Sequence, residues 1–139
     1  MVGVCQTPSI YDIEIISTVV APTKPSGASW DALDDIPEQY VIAGAIDPVI
    51  ANKQYSAGTG QFSALSHTWN QVLDTNMPLD AVQFNLVIEM HEGDSFSDDD
   101  KICFFANIPI DANVLSGNTI TSTCAEDGRT SVTWRLISQ

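Results

Sequence analysis

Apolar residues alternate with polar ones through residues 82–90, and this pattern restricts how the chain can fold. Every even position of the run, from Val82 to Met90, carries an apolar side chain. A period of two predicts a β-strand with one face in the core. The same parity continues to Glu92 and Asp94, so we expect both carboxylates to leave the sheet on one side, where the core meets solvent.

The segment after this predicted strand is strongly acidic. It carries Glu92, Asp94, Asp98, Asp99 and Asp100. The next basic residue after them is Lys101. Acidic oxygens at a strand end without a basic partner form a poor salt-bridge site. They form a good site for a hard divalent cation, because calcium takes about six to eight oxygen ligands.

Most of the remaining chain is also predicted to be strand and turn. No stretch of a dozen residues shows the periodicity of an amphipathic helix. The predicted strands are Tyr11–Val20, Tyr40–Ile46, Lys53–Ser56, Trp69–Leu73, Lys101–Ala106 and Ser131–Leu136. Val132, Trp134 and Leu136 should point inward in the last of them. Together these runs predict a single all-β domain over residues 1–139, an eight-stranded antiparallel Greek-key sandwich.

The charge of the chain excludes several functions. Its 139 residues carry 18 acidic and 5 basic side chains, a formal charge of −13. Nucleic acids and anionic lipids bind clustered Lys and Arg, whereas the basic residues here are scattered. An anionic partner would therefore have to be reached through a bound cation. The alternative is that the charge serves only solubility or a salty habitat.

The three cysteines bear on the compartment. Cys5 and Cys124 lie in loop-like positions and Cys103 lies inside a predicted strand, so we expect a Cys5–Cys124 disulfide and a free Cys103. A disulfide suits an exported, periplasmic or cell-surface protein, and three reduced thiols in the cytoplasm are the alternative. No signal peptide is visible in the first five residues, and a lipid-modified Cys5 is a further alternative.

Several segments occur in an order typical of one family. Trp69-Asn70 comes first, the strand Leu86-Val87-Ile88 follows, and the acidic segment ends at Asp100-Lys101-Ile102. This order resembles the second half of a C2 domain, the calcium- and lipid-binding β-sandwich. In that family the strand is followed by two acidic residues that are separated by one other residue, and a third acidic residue lies six positions after the second. Glu92, Asp94 and Asp100 fit this spacing, with Glu92 where Asp is usual.

Two upstream segments extend the resemblance over roughly residues 11–105. Pro37-Glu38-Gln39-Tyr40-Val41 is similar to the family's Asp-Pro-Tyr-Val segment, with Glu for Asp and Gln for Pro. The segment from Gly27 to Asp31 resembles a variant of bacterial C2-like domains, in which Trp-Asp supplies the first acidic ligand. Asp31 would then share a site with the later acidic segment, because loops at one end of a sandwich lie side by side.

The resemblance implies a calcium site and a membrane-contact surface. The implied calcium ligands are Asp31, Glu38, Glu92, Asp94 and Asp100, with Asp98 or Asp99 as a sixth. Phe96, Trp30 and Leu33 are the apolar loop residues implied to contact a membrane, although Trp30 has a second interpretation as the core of its own loop. An acidic loop that binds no metal is the alternative for the whole site.

Two classes of function therefore remain. One is a calcium-binding module that docks on a membrane or on a protein partner, and the other is a calcium-independent structural or interaction domain. Catalytic machinery is not visible, so we expect no enzyme. His67 and His91 have no second ligand at zinc spacing and are expected to be exposed, and Cys103 is expected to be packed.

Overall fold

The structure, a computed structural model, describes residues 10–30, 36–46, 54–93 and 100–139, with the side chain of Asp100 left out. Within these ranges the chain forms nine strands and two short helices. The strands are β1 Ile10–Val19, β2 Glu38–Ile46, β3 Gln54–Gly58, β4 Phe62–Ser63, β5 Ser66–Pro78, β6 Val87–Glu92, β7 Asp100–Phe105, β8 Ile120–Thr123 and β9 Ser131–Ser138. The helices are α1 Leu79–Asn85 and α2 Ala112–Leu115.

The strands form two antiparallel sheets that pack face to face. Sheet A has the order β5-β1-β9-β8, and sheet B has the order β3-β2-β6-β7 with β4 paired to β2. Strands distant in sequence are neighbours in both sheets, so the chain crosses between the sheets repeatedly. The expected all-β antiparallel sandwich is confirmed, with the two-residue β4 as a ninth strand.

The core lies between the sheets and is built from alternating positions. Val132, Trp134 and Leu136 of β9 are fully buried, as their parity predicts. They meet the inward residues of β2 and β6, among them Val41 and Ile88, which are also fully buried. This period-two burial is what an antiparallel sheet with one solvated face requires.

The first part of the predicted 82–90 strand is helical instead. Helix α1 begins after Pro78, whose φ of −68° suits entry into a helix, and it ends at Asn85. Ala81 and Val82 are buried, whereas Phe84 is 73% exposed. The alternation at positions 82 and 84 was therefore misleading. The strand prediction holds only from Val87 onward, where β6 begins.

Two other elements were not predicted. Residues 120–123 were not among the predicted strands, but they pair with β9 as β8. Helix α2 is a single turn, capped by Asp111, whose carboxylate accepts a hydrogen bond from the Val114 amide at 3.0 Å. No helix among the described residues is long and apolar enough to cross a membrane.

Candidate functional site

Three strand ends meet at one end of sheet B. Strand β6 ends at Glu92, and β2 and β7, which begin at Glu38 and Asp100, lie on either side of it. Opposite this end of sheet B, β1 ends and β9 begins in sheet A. We call this the acidic end. The acidic segment 93–99 follows β6 directly in the sequence.

The strand register places three residues in one row across the acidic end. Glu92 pairs with Gln39 on one side and with Asp100 on the other. Paired residues of antiparallel strands share a face, and the side chains of Gln39 and Glu92 face the interior. Glu92 is only 2% exposed and Gln39 is fully buried. The parity argument therefore located Glu92 correctly on the core side of the sheet, and the chain folds a carboxylate into the edge of the core.

Glu38 does not share this row. The alternation along β2 turns Gln39 and Val41 inward, which puts Glu38 on the outer face of sheet B. The other proposed ligands Asp31, Asp94, Asp98 and Asp99 lie outside the described residues, as does the side chain of Asp100. Within the described part of the chain, no group of three His, Cys, Asp or Glu side chains is arranged to hold a metal ion.

A buried polar network lies directly below the row and joins the two sheets. The hydroxyl of Thr18 donates to Oε1 of Gln39, and Nε2 of Gln39 donates to the carbonyl of Ala64 at 2.7 Å. The Trp69 indole N–H donates to the Thr18 hydroxyl at 2.9 Å. Each polar group of the network is thus satisfied, as buried polar groups must be. Sequence reasoning missed it, although the inward parity of Gln39 was a usable signal.

Trp30 has a packing role at the acidic end. Its ring is 4% exposed, and its indole N–H donates to the carbonyl of Ala21 at 2.7 Å. A buried ring held in this way does not reach a membrane, so the membrane-contact assignment of Trp30 is wrong and its second interpretation, as loop core, is correct. The other two residues proposed for membrane contact, Leu33 and Phe96, lie outside the described residues.

The expected Cys5–Cys124 disulfide is also wrong. Cys124 is bonded to Cys103, and both are buried. The bond joins β7 of sheet B to the end of β8 in sheet A, and these are the outermost strands on the same side of the sandwich. We expected Cys103 to be free because it lies inside a predicted strand, and the sequence alone does not reveal which strands lie next to that one. The inward position of Cys103 on an edge strand is what brings it to Cys124.

A tight turn after Cys124 braces the first long connection. The Asp127 carboxylate accepts hydrogen bonds from the amides of Arg129 and Thr130, each at 2.8 Å, and from the Thr130 hydroxyl at 2.6 Å. The Thr130 hydroxyl in turn accepts from the Ala21 amide at 3.0 Å. Ala21 holds Trp30, so this turn, the disulfide and the 20–30 segment support one another.

These hydrogen bonds change the acidity of Asp127. Burial raises its pKa, but the hydrogen bonds from Thr130 and the Arg129 amide, together with the Arg129 charge, outweigh burial and leave the pKa below its ordinary value. A lowered folded-state pKa stabilises the fold above the unfolded-state pKa of about 4, and this contribution is lost as pH falls through the lower folded-state value.

We therefore expect Asp127→Asn to cost about 1 kcal/mol of unfolding free energy at pH near 7, the value of a typical hydrogen bond. The difference from wild type should shrink as pH falls below about 4. Urea denaturation of both proteins across this pH range measures it. If the difference in unfolding free energy between wild type and Asp127→Asn does not change with pH, the charge of the Asp127 carboxylate does not make this contribution.

A patch of exposed apolar side chains borders the acidic end. Val19 is 47% exposed, Ile36 41%, Phe62 46% and Leu65 36%. The pairing of Glu38 with Ser63 and the hydrogen bond from the Val20 amide to the Leu65 carbonyl bring these residues to one corner of the sandwich. We call these four side chains the corner patch. Sequence reasoning missed it, because no single one of them stands in a distinctive motif.

The two histidines are half-buried rather than exposed. His67 stacks on Phe62 with ring centroids 3.8 Å apart and meets Trp69 edge-on at 4.4 Å. His91 stacks on Tyr40 with centroids 5.3 Å apart. Cross-strand pairing of β2 with β6 brings His91 beside Tyr40, which its position in the sequence does not reveal. The rings that contact His67 belong to residues near it in the sequence, Phe62 in β4 and Trp69 in β5.

Comparison with known proteins gives a fold but no close relative. No protein-family model matches the sequence, and no curated protein sequence matches it either. Among solved structures, the first C2 domain of plant extended synaptotagmin 1 matches with a TM-score of 0.66 and 13% identity, over 94% of each chain. The fold is that of a C2 domain.

Two further structures are similar over nearly the whole chain. A calcium-bound pair of C2 domains from extended synaptotagmin 2 matches with a TM-score of 0.64 and 17% identity, over 96% of this chain and 46% of that one. Human group IVD cytosolic phospholipase A2 matches with a TM-score of 0.57 and 14% identity, over 95% of this chain but only 16% of the enzyme. At these identities the similarity extends to the C2 fold alone.

Proposed function

We propose that this C2-like domain binds calcium at its acidic end and docks there on a membrane surface. The observation that carries the proposal is the row formed by Gln39, Glu92 and Asp100. It contains a carboxylate buried at the edge of the core, that of Glu92, and the acidic segment 93–99 follows Glu92 directly in the sequence. A carboxylate buried to this degree requires compensating donors or a cation to stay ionised, and calcium prefers carboxylate oxygens.

The proposed ligands are Asp31, Glu92, Asp94, Asp99 and Asp100. Carboxylates gathered at one site repel one another, so a bound cation offsets that repulsion as well as coordinating the oxygens. Glu38 is left out of this set because its side chain projects from the opposite face of sheet B. The calcium-bound structure of extended synaptotagmin 2, which has the same fold, supports this choice of ion.

The corner patch supports a membrane as the docking partner. It places a phenyl ring and three aliphatic side chains beside the acidic end, and exposed apolar groups of this kind enter the lipid interface. The formal charge of −13 repels anionic lipid at a distance. Membrane binding should therefore depend on calcium, because the bound cation reverses the electrostatic field at the acidic end. Phe96 and Leu33 are proposed to add to this surface.

We also propose that the protein works outside the cytoplasm. The Cys103–Cys124 disulfide supports this location, because such bonds persist in oxidising compartments and are rare in the cytoplasm. A cytoplasmic location would leave these thiols reduced.

Calcium should raise the melting temperature of the wild-type protein, and the double change Glu92→Gln with Asp94→Asn should abolish the rise. A ligand that binds only the folded state stabilises it by about 2.7 kcal/mol at a hundredfold excess over its Kd. In chelator the double variant should be at least as stable as wild type, because two repelling charges are gone. Differential scanning calorimetry with calcium and with chelator measures both effects.

The matched control is Asp74→Asn with Asp80→Asn, which removes the same two charges in β5 and α1, towards the opposite end of the sandwich. This variant should keep the calcium-dependent rise. If wild type shows no shift up to about 10 mM calcium, beyond the weak extracellular range, the site is not a calcium site and the domain is calcium-independent.

Sedimentation with phosphatidylserine vesicles tests the membrane step separately. Wild type should sediment with vesicles in calcium and remain in solution in chelator, and Phe62→Ser should reduce the bound fraction. Burying one phenyl ring contributes roughly 1.5 to 3 kcal/mol, which matters for a weak anchor. Calcium binding without vesicle binding would instead favour a protein partner at the acidic end.

A further inference from the structure

Three segments meet beside Trp30 at the acidic end. They are segment 20–30 of the first long connection, the start of β7, and the 124–130 turn from β8 to β9. All three line one cavity of about 140 Å³, to which they contribute Trp30, Ile102 and Glu126 respectively. Segments that are far apart in the sequence are therefore neighbours at this end of the sandwich.

The Cys103–Cys124 disulfide is the covalent link among these segments. Cys103 lies in β7, and Cys124 begins the turn. The Cys124 amide donates to the Thr130 carbonyl at 2.7 Å, and the Thr130 hydroxyl accepts from the Ala21 amide at 3.0 Å. The disulfide thus ties β7 to the turn, and hydrogen bonds tie the turn to segment 20–30.

Two of the three segments lead to proposed calcium ligands. Asp31 follows Trp30 directly in the sequence, and Asp100 begins β7 and pairs with Glu92. Carboxylates repel one another while no cation is bound. A bond that holds their segments in place lowers the free-energy cost of gathering the ligands, so it should raise the affinity for calcium.

We propose that the Cys103–Cys124 disulfide controls calcium binding, a role that rests on the calcium site proposed above. The oxidised domain binds calcium, and reduction weakens the binding while the sandwich stays folded. After reduction no ladder hydrogen bonds link the described strands of the two sheets on the β7 and β8 side, so repulsion between the carboxylates moves β7 away from the turn. The ladders within each sheet do not depend on the bond and keep the fold. The domain therefore reaches its full calcium affinity only in an oxidising compartment.

A dithiol supplies the two electrons that reduction requires. Its first thiolate attacks the sulfur of one cysteine, which forms a mixed disulfide and releases the other cysteine as a thiolate. Its second thiol then displaces the remaining cysteine and closes the disulfide of the reagent. Two electrons and two protons have then passed to Cys103 and Cys124. Both cysteines are buried, so the exchange is slow and must be followed to equilibrium.

Isothermal titration of calcium into oxidised protein and into protein reduced with dithiothreitol tests the proposal. The Kd for calcium should be roughly tenfold higher after reduction, within the range of about 5- to 150-fold that is typical of coupled sites. Far-ultraviolet circular dichroism should show the same strand content in both samples. Equal Kd values, or unfolding on reduction, would overturn the proposed control and leave the calcium site intact. No binding by the oxidised protein would overturn the calcium site as well.

The reverse coupling provides an independent measurement of the same factor. Because linkage between two equilibria is reciprocal, bound calcium should make the disulfide harder to reduce by roughly tenfold. Protein is equilibrated in mixtures of reduced and oxidised dithiothreitol, with saturating calcium or with chelator, and is then alkylated. Mass spectrometry of the alkylated protein gives the reduced fraction. An equilibrium constant that is the same in calcium and in chelator would contradict the proposal.

Two matched threonine variants test the connection from the disulfide to segment 20–30. Thr130→Val keeps the disulfide but removes the acceptor for the Ala21 amide, so it should raise the Kd of the oxidised protein about threefold, the effect of one typical hydrogen bond. Thr121→Val is the control, because it removes a hydrogen bond to Thr133 on the outer face of sheet A. This control should keep the wild-type Kd in both redox states. Equal effects of the two variants would overturn the coupling through Thr130.

Discussion

Removing the Cys103–Cys124 disulfide should lower the free energy of unfolding by about 3 kcal/mol. The bond closes a loop with a sequence separation of 21 residues, and the chain-entropy model gives a value of this size for such a loop. It also joins β7 and β8, the outermost strands of the two sheets, on a side where no ladder hydrogen bonds link the described strands of the two sheets. Urea denaturation of the double variant Cys103→Ala with Cys124→Ala, compared with wild type, measures the loss.

Mass spectrometry provides the direct check of the pairing. Native, unreduced protein digested with a protease should contain one linked peptide pair with Cys103 and Cys124, and Cys5 should remain available for alkylation. The single variant Cys5→Ala should have wild-type stability and serves as the control. A linked pair that contains Cys5, or three alkylated thiols, would contradict the pairing.

Trp30→Ala should cost about 3 to 5 kcal/mol, the range observed when a large aromatic side chain is removed from a core. The ring is 4% exposed, and its N–H holds the carbonyl of Ala21 at the start of the first connection. Loss of the ring should also loosen the contact of this segment with Thr130, since Ala21 links the two. Thermal unfolding followed by circular dichroism measures the effect.

Trp30→Phe separates packing from hydrogen bonding. It keeps most of the ring volume and loses the donor to Ala21, so it should cost more than about 1 kcal/mol but less than Trp30→Ala. Phe84→Ala is the control for an exposed ring, because Phe84 is 73% exposed, and it should change stability by less than about 0.5 kcal/mol. Equal losses at Trp30 and Phe84 would show that Trp30 does not pack as described.

The sequence alone determined the fold class and the position of Glu92 on the core side of β6. Local chemistry is sufficient for both. The period-two patterns of β2, β6 and β9 assign core faces residue by residue, and the parity from Ile88 to Glu92 correctly predicts a carboxylate on the core side. The order of the segments around Trp69 and Asp100 was sufficient to predict the C2 fold, which structural comparison supports.

Only the tertiary structure decided which distant groups meet. Cys103 bonds to Cys124 because β7 and β8 lie on the same side of the sandwich, and loop placement in the sequence carries no information about that neighbourhood. The N–H of the buried Trp30 ring bonds to Ala21, and Ala21 in turn bonds to Thr130, over a hundred positions later in the sequence. Each of these results depends on strand register and sheet order, which are set by the packing of the whole chain and not by any local pattern.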